Sequence, residues 1–133
     1  MSAPPPEPSL SEEEARAFRE GVAQFNAGLF FECHDTLEDL WAGVRGPSRD
    51  FFQGLIQVSV AFYHLSRGNE AGAESLLQRA LRRFEAYPGR YFGFDLAAHR
   101  LELARLLDGI RRGEGAGGIG APYWRFEEPP RQE

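Results

Sequence analysis

Phe51-Phe52-Gln53-Gly54-Leu55-Ile56-Gln57-Val58-Ser59-Val60-Ala61-Phe62-Tyr63-His64-Leu65-Ser66 is a run with no charged side chain. Apolar residues fall on most of its helical circumference. A helix of that kind must be covered by neighbours on several sides. The run contains Gln53, Gln57 and His64, and it is too short to cross a bilayer. It therefore reads as the central helix of a packed bundle, opened by Pro47 or Ser48 and closed at Gly68-Asn69.

The segments on either side are helical too. Ser11 and Glu14 form a capping box, and Ala15, Phe18, Val22, Phe25 and Leu29 make an apolar stripe ending at Gly28. A second helix runs from about Phe30 to Val44, before Gly46-Pro47. Asn69 is placed to cap a fourth helix, with Ala73, Leu76, Leu77, Ala80, Leu81 and Phe84 inward and Arg79, Arg82 and Arg83 outward as a solvated face. Pro88-Gly89 stops it. The loop Arg90 to Phe94 is rich in aromatics and is expected to fold back on the core. Asp95 caps a fifth helix ending near Arg112. No stretch shows a period-two strand pattern. The fold class is all-α: a compact single domain of about five helices over residues 11–113. Residues 1–10 are Pro-rich and expected to be disordered. Residues 114–133 form a Gly-rich linker and a tail, Tyr123-Trp124-Arg125-Phe126, too apolar to float free. That tail is expected to dock on its own bundle or on another subunit.

Composition narrows the function. The 133 residues carry 20 acidic and 15 basic side chains, a formal charge of −5. That is not the basic footprint of a nucleic-acid protein. Every basic residue is Arg, and the absence of Lys excludes P-loop and Schiff-base chemistry. Cys33 is the only cysteine, which excludes an intramolecular disulfide and a thiolate zinc cage and fits a reducing cytoplasm. The N-terminus has neither a basic region nor an apolar one, so no signal peptide is expected.

The chemistry-bearing residues lie on two helices. Gln53, Gln57 and His64 recur at spacings that place them on one stripe of the central helix. On the preceding helix, His34 and Glu38 stand one turn apart on the stripe Phe30, His34, Leu37, Glu38, Trp41. The two polar faces are expected to meet as one buried cluster: His34, Glu38, Trp41, Gln53, Gln57 and His64. Buried amides and imidazoles left without partners cost about 1–3 kcal/mol each. Cys33 and His34 point about 100° apart on the helix and cannot act as a dyad.

The run Phe25-Asn26-Ala27-Gly28-Leu29-Phe30-Phe31-Glu32-Cys33-His34-Asp35-Thr36-Leu37-Glu38-Asp39-Leu40-Trp41 resembles the signature of domain-of-unknown-function family 309. So do Phe52-Gln53-Gly54-Leu55-Ile56-Gln57, Tyr63-His64 and Gly68-Asn69. The resemblance covers roughly Phe18 to Arg112. It implies a compact helical fold and marks the same six polar and aromatic positions. The family commonly has Glu after the first His, where Asp35 stands here. It supplies a site and no reaction. Asn26 to Phe30, and Gly68-Asn69 with Gly72-Ala73, Leu76, Ala80-Leu81 and Pro88, also resemble tetratricopeptide helix pairs. Their offset of 43 residues exceeds that repeat's period of about 34.

Two functions fit this reading. One is a scaffold or protein-interaction module, self-associating or binding a protein partner, whose polar cluster fixes helix register. The other is a small metal- or ligand-binding protein, including a metal-dependent hydrolase. There His34, Glu38 and His64 would hold a divalent Zn, Mn or Fe, with Gln53 and Gln57 orienting substrate or water. Neither calls for nucleic acid or a membrane.

Overall fold

The computed structural model describes residues 3–115 and 123–127. The helices are α1 (Glu12–Asn26), α2 (Phe30–Gly43), α3 (Arg49–Ser66), α4 (Glu70–Phe84) and α5 (Leu96–Arg111). Each packs on the next in sequence, as short connections require, and α3 lies between α2 and α4. Among the described residues, no helix is long and apolar enough to cross a membrane.

The caps fall where the side chains demand. Ser11 accepts from Glu14 N while Glu14 Oε1 accepts from Ser11 N. Asn69 and Asp95 accept from the backbone N–H three residues on, starting α4 and α5. Helix α3 is capped from a distance: Tyr87 Oη accepts from Phe51 N at 2.9 Å and donates to Pro47 O at 2.5 Å. The end of α4 thereby fixes the start of α3. The α1 stripe stops one residue short of expectation. Leu29 lies past the helix, in the corner to α2, and is 48% exposed.

Between α4 and α5 the aromatic loop forms a two-stranded antiparallel hairpin, β1 (Arg90–Tyr91) and β2 (Phe94–Asp95). Strands of two residues are too short to leave a periodic pattern. The turn Phe92-Gly93 has positive φ at both positions, 47° and 79°, as a tight hairpin needs. Phe92 and Phe94 both pack on Phe18 of α1, so the loop does fold back on the core.

Before the bundle, Pro6 O accepts from Tyr91 Oη and Leu10 packs on the core. After it, residues 116–122, most of the Gly-rich stretch, lie outside the described residues, as do 128–133. Residues 123–127 dock on the bundle's own surface: Phe126 bridges Phe94, and Trp124 is 1% exposed.

The contact between α3 and α4 depends on Gly54. A Cβ there would stand 2.5 Å from the ring of Phe84, which is wholly buried. Gly54→Ala is predicted to destabilise the protein by about 1–3 kcal/mol despite the better helix propensity of Ala. Urea unfolding measures this.

Candidate functional site

Three polar groups and one buried histidine bear on the site expected from the sequence. The first stands on α2. His34 Nε2 lies 2.6 Å from Glu38 Oε2, one turn on, and Nδ1 lies 3.3 Å from Asp35 Oδ1. The Glu38 contact is the closer of the two, and Nδ1 is buried with no hydrogen-bond partner. The carboxylates flank opposite nitrogens of the ring, so their lone pairs do not converge with it on one point. The group is also not in the core: Asp35 and Glu38 are exposed and His34 is half-buried. The His34 ring meets Phe31, which meets Tyr63 of α3, and the Arg67 guanidinium lies over Tyr63.

The second group joins α3 to α4. Arg83 donates through Nε to Gln57 Oε1 at 3.2 Å and through Nη1 to Asp50 at 2.6 Å. Gln57 thus turns toward α4 and away from α2. Arg83, read from sequence as a solvated outer residue, is half-buried and spans about two turns of α3. The sequence signal for this was available: Asp50 and Gln57 are seven apart, on the stripe that also carries Gly54.

The third group closes the start of α3. The Arg49 guanidinium lies 3.7 Å from the centre of the Trp41 ring and donates to Trp41 O and Val44 O. Trp41 is therefore a partly buried platform for an Arg of its own chain. Gln53, one turn from both Arg49 and Gln57, is half-buried.

The expected single cluster is thus divided. His34 and Glu38 pair on α2, Gln57 joins Arg83, Trp41 joins Arg49, and His64 Nδ1 lies 3.0 Å from Asn69 Nδ2 at the α3–α4 turn. Among the described residues, no three His, Cys, Asp or Glu side chains are gathered to hold a metal ion. Cys33 is fully buried, and burial pushes its thiol up to about 12, so it carries no thiolate near neutral pH.

His99 was missed in the sequence. Asp95 and Glu102 stand one turn to either side of it, the ordinary setting of an exposed helical histidine, so nothing marks it as buried. Here it is buried, with its ring 6.4 Å from that of Trp124 and 6.0 Å from that of Phe84. Its Nε2 and the Trp124 Nε1 have no hydrogen-bond partner. Beside them is a cavity of about 20 Å³, lined by Phe94, Ala98, Glu102 and Tyr123 among others and large enough for one water. Burial pushes the His99 ring down to about 4.

These elements define a class: a small protein of consecutive helical hairpins with its polar side chains tied between neighbouring helices. Residues 18–76, from α1 into α4, match the family described as Domain of unknown function (DUF309), the family its motifs resemble. The match contains all six positions singled out on α2 and α3. His99 and Trp124 lie outside it. The chain is similar to Uncharacterized protein YpuF of Bacillus subtilis (strain 168), 36% identical over 73 residues, which are 53% of this chain and 42% of that protein. It is also similar to an uncharacterized protein of Aquifex aeolicus (strain VF5), 25% identical over 95 residues, 71% of this chain and 28% of that one. The chain therefore spans less than half the length of these curated relatives.

The buried His99 makes stability pH-dependent. The unfolded chain takes up a proton near pH 6.5, whereas the folded ring refuses it until about pH 4. Stability is thus fully present above pH 6.5 and lost as pH falls toward 4. Between pH 7.5 and 4.5 the loss from this group is predicted to be roughly 2–3 kcal/mol. Urea unfolding of the natural chain and of His99→Gln at both pH values checks this. The variant should lose less by about that amount.

Proposed function

We propose that this chain is a helical docking module that takes a basic, apolar-anchored protein segment on the face where α2 begins and α3 ends. The observation that carries the reading is Phe31. It is 50% exposed and stands at the hub of an open aromatic patch with Tyr63 and the His34 ring. Leu29 beside it is likewise half exposed. Large apolar side chains gathered at one place on a surface suit a partner.

Charge supports the kind of partner. Helix α2 carries Glu32, Asp35, Glu38 and Asp39 and no Arg. An incoming Arg or Lys would meet Asp35 and Glu38 at the rim while an apolar residue covered Phe31. The His34–Glu38 pair then holds the ring that forms one wall of the patch. The relatives support a modular role as well, because the similar stretch is a minor part of each. A metal-dependent hydrolase has less support, since among the described residues no third ligand joins the His34–Glu38 pair, and His64 faces Asn69.

The reading predicts binding of a synthetic amphipathic helix with Leu and Phe anchors flanked by Arg, measured by calorimetry at low and moderate salt. Affinity should fall with salt. Phe31→Ser should weaken it by about tenfold or more without loss of fold. The same peptide with Glu in place of Arg should not bind. Equal affinity for both peptides, or none for either, would count against the proposal.

A further inference from the structure

Residues 123–127 are held in the way that proteins hold an extended peptide. Asn26 at the end of α1 clamps the main chain of Trp124 at both ends. Its Oδ1 accepts from Trp124 N at 2.6 Å and its Nδ2 donates to Trp124 O at 3.0 Å. Two residues on, Phe126 bridges Phe94 of the hairpin, and Glu127 N donates to Gly93 O at 2.9 Å. The extended segment meets the edge of β2 through one antiparallel bridge.

Side chains alternate accordingly. Tyr123, Arg125 and Glu127 face out, and Trp124 and Phe126 face in. Trp124 stacks flat on Phe25, with ring centres 3.8 Å apart and planes 4° apart, and meets Phe94 and His99 edge-on. Phe126 sits among Phe18, Phe92 and Phe94. Main-chain bonds that any sequence satisfies, combined with pockets for alternate side chains, constitute recognition by strand addition. Gly93 is part of the mould: its φ is positive, and the segment crosses directly over its Cα, where a Cβ would collide with it.

We propose that this groove is a recognition site for an extended Trp-X-Phe segment, and that the segment it takes in trans is residues 123–127 of a second copy of this chain. Every contact that seats the segment is made by α1, the hairpin and α5. The joining stretch 113–120 contains five glycines and adds no large side chain but Ile119. An exchanged segment remakes the same contacts, so two reciprocal exchanges lose only the advantage of being tethered. The second copy is favoured as occupant because its segment fits the groove residue for residue. This inference does not depend on the α2 face.

The test mixes two full-length variants. Trp124→Ala has a complete groove and a crippled segment. Asn26→Ala has a crippled groove and a complete segment. Each alone should be monomeric by light scattering, and the mixture should give a one-to-one heterodimer. Two folded variants that remain monomeric when mixed would overturn the proposal. Should either variant fail to fold, the natural sequence with a protease site between Gly117 and Gly118 can be cut after folding, since it retains every residue. The nicked protein should exchange its segment for a fluorescent peptide of residues 121–128, and the W124A peptide should bind at least about tenfold more weakly. No uptake would overturn the groove. Peptide uptake with no heterodimer from folded variants would overturn the second copy as its occupant.

Discussion

Helix α3 cannot face water, and covering it determines the rest of the molecule. Phe51, Phe52, Leu55, Val58 and Ala61 are wholly buried, and they point in more than one direction. One neighbouring helix cannot cover them. Helix α2 takes one side and α4 another, with Gly54 letting the Phe84 ring come close. The remaining side is closed by aromatics: Phe18 of α1 meets Phe52, and Tyr91 and Phe94 of the hairpin meet Phe51. The hairpin is a lid on the start of α3, where Tyr87 also holds it.

That arrangement decides what the polar residues can do. A helix between two others presents its polar side chains to two different partners. Gln57 and Asp50 face α4 and are bridged by Arg83, while Arg49 faces α2 and rests on Trp41. His34 and Glu38 satisfy each other at the edge of the bundle. The Arg83 and Arg49 contacts join adjacent helices, and among the described residues no three His, Cys, Asp or Glu side chains converge on a common point. The Phe31 corner stays open beside acidic α2, with the Arg67 guanidinium over Tyr63 at its edge.

Much of this was legible in the sequence. The five helices followed from apolar spacing, and the caps at Ser11, Asn69 and Asp95 followed from side-chain chemistry. The meeting of the α2 and α3 polar stripes did not, because spacing shows which residues share a face and not which neighbour that face meets. Gln57 at the boundary between two neighbours was assigned to the wrong one. The hairpin escaped because its strands are two residues long. Trp124 was recognisable as too apolar for solvent, but its seat is built from Phe25, Asn26, Phe94 and His99, which are far apart in sequence. Nothing local distinguishes His99 from an exposed helical histidine.

The central claim is that α3 sends its polar contacts to α2 and α4 separately. A double-mutant cycle between Arg49→Ala, which faces α2, and Gln57→Ala, which faces α4, read by urea unfolding, tests it most directly. Separate systems predict additive losses, with a coupling energy below about 0.5 kcal/mol. A coupling above about 1 kcal/mol would mean that the two residues share one network, and would contradict the account.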